Sequence, residues 1–121
     1  MIRFEEGAIG LLEFPNTNLK SGKLRPVLLL KKPPDNKEDW LVCAITSQLI
    51  YYNPEWNFII KSNDEDFGKS GLKKTSVIRL FKIATINKTV IKGLIGKINN
   101  ERLENIYQKF IVFFKPEIGE K

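Results

Sequence analysis

Short apolar runs, separated by turn-forming residues, fill most of the chain between residues 7 and 96. Runs of this length, rich in Val, Ile and Leu and bounded by Gly, Pro, Asn or Asp, are typical of β-strands. Two of them alternate apolar with polar positions, as half-buried strands do. We therefore predict strands at residues 7–14, 27–32, 40–46, 57–60, 76–80, 81–86 and 90–96.

The pattern changes after residue 96. Apolar residues then recur at intervals of three and four positions, which places them on one face of a helix. They are Leu103, Ile106, Tyr107, Phe110, Ile111 and Phe114. Asn99 or Asn100 is suited to cap the helix, and Pro116 lies past its end. The whole order predicts a mainly β (β+α) fold, a small twisted sheet or barrel packed by a C-terminal helix.

Size and composition indicate an ordinary small globular protein. The 121 residues contain no repeat, low-complexity segment or linker, so we predict a single domain spanning residues 1–121. The sequence has no apolar run of about 18 residues that could span a membrane. Acidic residues stand where a signal peptide would have its apolar core. A cytoplasmic location is therefore expected, and the lone Cys43 agrees with it because it cannot form an internal disulfide.

The charge balance points to an anionic partner. Twenty Lys and Arg residues against fourteen Asp and Glu residues give a net charge of +6. A surplus of this kind favours nucleic acid or an acidic protein tail. The chain has no histidine, which excludes Ser-His-Asp and Cys-His catalysis and any His-based zinc site. We predict no metal and no other cofactor.

Arg25 is the first candidate for chemistry, because it stands at the entrance of the most apolar run, residues 27–30. Pro26 fixes its own φ and biases Arg25 toward extended geometry. A guanidinium held there offers five donors in a rigid fork, which suits a phosphate. The alternative is a structural arginine that binds loop carbonyls or forms an ordinary ion pair.

The end of the strand at 40–46 is the second candidate. It carries two hydroxyls and an amide in succession, on Thr46, Ser47 and Gln48. Groups at strand ends often supply binding chemistry in small sheets and barrels. The alternative is a hydroxyl turn that only caps the strand. Tyr51 and Tyr52, in the polar loop that follows, are candidates for stacking on bases.

Other polar and aromatic groups are interpreted as structural. The acidic segment 64–66 could hold a hard cation, but an exposed loop tip is the favoured interpretation. Trp40 and Trp56 could stack on bases, but packing at a strand edge is favoured for both.

Several short motifs follow one another in a recognisable order. They are Gly7-Ala8-Ile9, Phe14-Pro15, and residues 23–28, 44–48, 76–80, 83–86 and 95–98, the last ahead of a helix. Their order and spacing resemble the MazF/PemK family of endoribonuclease toxins from type II toxin–antitoxin pairs. The resemblance extends from residue 7 to about residue 110.

This resemblance implies a small SH3-like barrel, usually a homodimer, that cuts single-stranded RNA at short sequences without a metal. It assigns catalysis to Arg25 and Thr46, and the loop before Arg25 to covering the substrate. Candidate RNA contacts are therefore Lys20, Ser21 and Lys23 of that loop, together with Ser47 and Gln48 at the strand end after Thr46. The antitoxin of such pairs usually lays an acidic, partly disordered tail over the same groove, which suits a partner of charge +6.

Two positions and one loop depart from the family pattern. Ala8 and Thr75 stand where the family usually has Asp, and we expect those acids to organise strand ends. The loop at residues 15–23 lacks an acid that many members carry, so loop-borne sequence preference does not transfer. The absence of the two acids at Ala8 and Thr75 favours an alternative, a non-catalytic member of the same fold that binds nucleic acid or protein. A third possibility is an unrelated basic barrel that only binds RNA.

Metal-free RNA cleavage uses the neighbouring 2′-OH as nucleophile, giving a 2′,3′-cyclic phosphate and a 5′-OH end. A chain without histidine must rely mainly on stabilising the negative charge that develops on the phosphate. Arg25 can donate two hydrogen bonds to the non-bridging oxygens, and Thr46 can add one from its hydroxyl. We therefore assign charge stabilisation to this pair.

Overall fold

The computed structural model describes residues 2–14, 23–35 and 37–117. In this part of the chain the elements are β1 (Ala8–Phe14), β2 (Lys23–Lys31), β3 (Asp39–Thr46), β4 (Phe58–Ile60), α1 (Phe67–Ser70), β5 (Ser76–Asn87), β6 (Ile91–Lys97) and α2 (Asn100–Phe114). Two 3-10 turns lie at Leu49–Tyr51 and Lys88–Val90. No described helix is long and apolar enough to cross a membrane. The prediction of a mainly β fold with a C-terminal helix is confirmed.

The six described strands pair antiparallel in one sheet, in the order β4-β5-β3-β2-β1-β6. Strand β2 lies inside the sheet and is buried on both faces. Leu28 and Leu30 join one apolar cluster, whereas Val27 and Leu29 join the other. A strand covered on both sides must be apolar at every position, which explains why this run is the most apolar in the sequence.

The two faces of the sheet are covered differently. Helix α2 packs on the Leu28 face through Leu103 and Ile106, and Asn99 caps it by accepting a hydrogen bond from the backbone N–H of Arg102 at 2.8 Å. The other face gathers the buried side chains of Ala8 and Trp40. The packing interpretation of Trp40 is thus supported.

Strand β2 begins at Lys23, four residues earlier than predicted. Its first residues pair with β1 alone, because the ladder with β3 starts only at Val27. Pro26 has no N–H to donate and is tolerated where one side of a strand is unpaired. Arg25 therefore stands on an extended strand and not in a loop.

The two segments predicted before the turn at Asn87 form a single strand, β5. Its register against β3 shifts at one place: Cys43 lies opposite Ile83, but the next residue, Ala44, lies opposite Arg79. Residues 80–82 are the extra ones. A bulge of this kind bends a strand without ending it, so the sequence pattern reads as two strands.

The interpretation of segment 64–66 as an exposed acidic tip is wrong for Asp66, which is only 6% exposed. Its carboxylate accepts hydrogen bonds from Nε and Nη2 of Arg102, both at 2.9 Å. Asp64 accepts a third, at 3.2 Å, and Arg102 Nη1 donates to the carbonyl of Ile59 at 3.1 Å. Asp64 and Asp66 therefore bind Arg102 and join α2 to the turn after β4. Arg102 lies 36 residues from Asp66 in the sequence, so no local sequence pattern reveals that the two residues pair.

Candidate functional site

A groove of about 510 Å³ opens where the ladder between β2 and β3 ends. Its walls are the first residues of β2, the last of β3, the turn between α1 and β5, and Ile95 of β6. Four cationic residues line it, and its described lining includes no carboxylate: the cations are Lys23, Arg25, Lys73 and Lys74. Cations gathered in a concave site without acids raise the local concentration of anions.

The sheet register brings Arg25 and Thr46 to the same part of this groove. Val27 pairs with Ala44, so Arg25 and Thr46 each lie two residues beyond the last hydrogen-bonded pair. Thr46 stays anchored on its other side by pairing with Val77 of β5. Both residues line the groove. One side of the site is thus rigid sheet, which is a favourable base for a positioned donor.

The hydroxyl of Thr46 already takes part in a turn. Its Oγ1 accepts a hydrogen bond from the backbone N–H of Gln48 at 3.1 Å. This is the strand-capping turn that stood as the alternative to a functional role. The two roles are compatible, because the hydroxyl accepts with its oxygen and keeps its proton to donate into the groove. Accepting one hydrogen bond also polarises a hydroxyl as a donor to another.

Arg25 is exposed to solvent. Within the described residues, no carboxylate forms an ion pair with it; the ion pairs there involve Lys31, Lys88, Lys97 and Arg102. The ion-pair alternative therefore finds no support in this part of the chain. An exposed guanidinium beside three lysines is best suited to an anion from outside.

The remaining predicted contacts divide into two groups. Lys23, Ser47 and Gln48 line the groove with the Arg25–Thr46 pair. Lys20 and Ser21 lie outside the described residues, so their role as RNA contacts stays a prediction.

Tyr51 and Tyr52 lie next to the groove but not in its lining. The guanidinium of Arg79 lies 4.1 Å from the centroid of the Tyr51 ring and covers one face of it. Asn57 Nδ2 holds the same residue by donating to its carbonyl at 2.7 Å. The loop is therefore held in place by these contacts, and base stacking by the two tyrosines remains a candidate role.

Lys73 and Lys74 were missed by the sequence analysis. The signal was two adjacent lysines directly before a predicted strand. In sequence such a pair is ordinary, because charged residues of both signs make up a large part of any soluble protein surface. Only the packing of the turn against β6 brings them into the groove.

Neither Ala8 nor Thr75, the two positions where the family usually has Asp, lines the groove. Ala8, the first residue of β1, is fully buried in the apolar cluster that also contains Trp40. Thr75 Oγ1 accepts a hydrogen bond from the backbone N–H of Ser62 at 2.9 Å, which is a contact that a carboxylate oxygen would also make. Neither departure removes a group from the described site.

Comparison with known proteins identifies the family. Residues 5–114 match the family described as PemK-like, MazF-like toxin of type II toxin-antitoxin system. The match covers nearly the whole chain, so the protein belongs to this family, as the sequence motifs indicated. This excludes the unrelated basic barrel. A comparison with curated proteins gives no match.

Two solved structures have a fold similar to that of this chain. A mycobacterial structure described as an endoribonuclease in complex with its cognate antitoxin is 12% identical, covers 88% of this chain and 90% of that chain, and has a TM-score of 0.62. The Mycobacterium tuberculosis toxin MazF-mt6 is 19% identical, covers 84% of this chain and 96% of that chain, and has a TM-score of 0.55. At these identities the likeness shows a shared fold, and the predicted MazF/PemK fold class is confirmed.

Proposed function

We propose that the protein is a metal-independent, sequence-specific endoribonuclease that cleaves single-stranded RNA, including mRNA. The observation that carries the proposal is the groove itself, which Arg25 and Thr46 both line at the end of the β2–β3 ladder with three lysines. Membership of a toxin family supports the activity class. The described lining offers no carboxylate or imidazole to hold a divalent cation, which supports a reaction without one.

In the proposed reaction the 2′ oxygen of one nucleotide attacks the adjacent phosphorus. The 2′-O–P bond forms and the P–O5′ bond breaks, while the 2′ proton passes to water and the 5′ oxygen takes a proton from water. The products are a 2′,3′-cyclic phosphate and a 5′-OH end. Arg25 donates two hydrogen bonds to the non-bridging oxygens, and Thr46 donates one as negative charge develops there. The sheet holds the phosphate against both donors, which lowers the entropic part of the barrier.

The first test is cleavage of mixed-sequence single-stranded RNA in EDTA by the wild type, Arg25→Ala, Thr46→Val and the control Arg3→Ala. Arg3 is also exposed, but lies outside the groove lining. We expect the wild type and the control to leave 5′-OH ends, and the two groove variants to lose at least about 100-fold in rate, the usual effect of removing one such donor.

Two results would count against the proposal. Cleavage that requires Mg²⁺ would contradict the metal-independent reaction. Salt-sensitive RNA binding without cleavage would favour the non-catalytic alternative.

We also propose that the groove is where an antitoxin acts. The related mycobacterial structure is a complex with a cognate antitoxin, and the family belongs to type II toxin–antitoxin systems. Four cations without a described acid in the lining suit an acidic tail as well as a phosphate chain. A tail bound there would exclude RNA. Both the RNA substrate and such a partner are expected in the cytoplasm, where we place the protein.

A homodimer is the proposed assembly. An apolar cleft of about 410 Å³ lies between α2 and the sheet, bordered by Leu30, Leu41, Ile83, Phe110 and Phe114 among others. It lies at the far end of β2 from Arg25, about 20 Å away at about 3.3 Å per residue. A second copy seated there would cover apolar surface and leave the cationic groove open.

The change Phe114→Glu tests this assembly. Phe114 is 64% exposed, so the substitution should leave the fold intact while placing a charge in the apolar interface. We expect light scattering to give twice the 14.0 kDa chain mass for the wild type and the single chain mass for the variant. Leu24→Glu, at the other end of β2, is the control and should stay dimeric. A monomeric wild type would refute the homodimer.

A further inference from the structure

The turn between α1 and β5 is built to a fixed shape. Gly71 has a φ of +75°, and a Cβ added there would overlap the carbonyl oxygen of Ile95 on β6. Only glycine combines that conformation with so close an approach to another backbone. The turn therefore packs directly against β6, an edge strand of the sheet.

Two buried serines hold the turn from inside. Ser70 Oγ accepts a hydrogen bond from the N–H of Leu72 at 3.1 Å, and Ser76 Oγ donates to the carbonyl of Lys74 at 2.8 Å. Ser70 is completely buried and Ser76 is 3% exposed. The backbone that carries the two lysines is therefore ordered by side chains on either side of them.

The two lysines are the only exposed charges that this turn presents between residues 71 and 75. Both line the groove with Arg25, and within the described residues no carboxylate forms an ion pair with either. A turn held this firmly, with cations that line a groove whose described lining includes no acid, is not needed for solubility alone, because any exposed lysine would serve that end.

We propose that Lys73 and Lys74 are positioning residues that bind the phosphates flanking the one held by Arg25 and Thr46. This proposal rests on the proposed function for its choice of RNA as the ligand. Arg25 and Thr46 stabilise the reacting phosphate, and the two lysines keep the neighbouring backbone in register across the groove. Lysine suits that role because it binds a phosphate as a flexible point charge and does not demand one geometry.

Binding of a mixed-sequence 2′-O-methyl oligonucleotide, measured between about 0.05 and 0.2 M salt, tests the proposal. This RNA lacks the free 2′-OH and is not cleaved, so the measurement is independent of catalysis. Each phosphate contact on a single strand contributes about 0.7 to the slope of log affinity against log salt. We expect the slope for Lys73→Gln/Lys74→Gln to be less steep than that of the wild type by about 1.4, which corresponds to the loss of two phosphate contacts.

The control removes the same charge elsewhere. Lys82→Gln/Lys92→Gln changes two exposed lysines outside the groove lining and should leave the slope nearly unchanged. Lys73→Arg/Lys74→Arg should restore it, since arginine keeps the charge. A groove variant whose slope equals that of the control or of the wild type would overturn the proposal.

Cleavage of ordinary RNA gives the second readout. We expect Lys73→Gln/Lys74→Gln to raise KM about tenfold or more and to change kcat little, because these contacts exist before and during the reaction. If the wild type does not cleave at all, the proposed function fails, yet the salt slopes still decide whether the lysines hold phosphates. If the wild type cleaves and the slopes do not differ, only this inference fails.

Discussion

Replacing Arg25 with lysine should lower the cleavage rate by about 100- to 1,000-fold while leaving RNA affinity nearly unchanged. Lysine keeps the positive charge, so the long-range attraction of the groove for phosphate persists. It loses the planar fork that donates two parallel hydrogen bonds to one phosphate. A donor aimed at charge that develops only in the transition state contributes roughly 3–4 kcal/mol. The loss should therefore appear in kcat and not in KM.

The measurement is single-turnover cleavage with the enzyme in saturating excess over RNA, with Arg3→Lys as the matched control. Arg3 is exposed and lies outside the groove lining, so this variant should behave as the wild type. The salt slope for the 2′-O-methyl oligonucleotide should be the same in all three proteins. Near-normal cleavage by Arg25→Lys would show that charge alone is enough and would remove the two-donor role.

Much of this fold was predictable because it follows from local patterns. The run at residues 27–30 is apolar at every position because β2 is buried on both faces. The spacing of Leu103 and Ile106 identified the face of α2 that packs on the sheet. In each case the signal lies within a few residues of the element that it describes.

What escaped prediction depends on residues far apart in sequence. The start of β2 at Lys23 follows from its pairing with β1, whereas the apolar run that marks this strand in the sequence begins only at residue 27. The pair of Lys73 and Lys74 became a site feature only because Gly71 lets its turn contact Ile95. The local sequence around these residues indicates neither the pairing of β2 with β1 nor the contact between Gly71 and Ile95.

The candidate site shows the same division. Arg25 and Thr46 could be paired through the family resemblance, and the sheet register agrees by placing both two residues past the end of one ladder. The turn formed by Thr46 and Gln48 was foreseen as a competing role. The structure makes the two roles parts of one arrangement, since the turn uses the oxygen lone pair and leaves the proton.

Changing Asp66 to Asn should lower the free energy of unfolding by about 3 kcal/mol at pH 7. Asp66 is 6% exposed and the Arg102 side chain 17% exposed, so the substitution leaves a largely buried guanidinium without its main partner. Breaking such a pair costs about 3–5 kcal/mol, and some exposure of Arg102 favours the lower end. For a chain of this length we expect Tm to fall by roughly 10 °C. Glu65→Gln, which removes the same charge from an exposed neighbour, is the control and should change stability by no more than about 0.5 kcal/mol.

The pH dependence of that difference identifies its cause. Hydrogen bonds from Arg102 lower the pKa of Asp66 below its ordinary value. A carboxylate with a lowered pKa in the folded state adds stability above its unfolded pKa of about 3.9 and loses it as pH falls through the folded value. The difference in free energy of unfolding between wild type and Asp66→Asn, measured by urea unfolding, should therefore be constant from pH 7 to about 5 and shrink below about 4.

The pKa of Glu6 is also lowered, by its hydrogen bond with Tyr107, but this contribution is common to both proteins and cancels in the difference. A difference that stays the same down to pH 3 would mean that Asp66 acts through its shape and packing, and not through its charge.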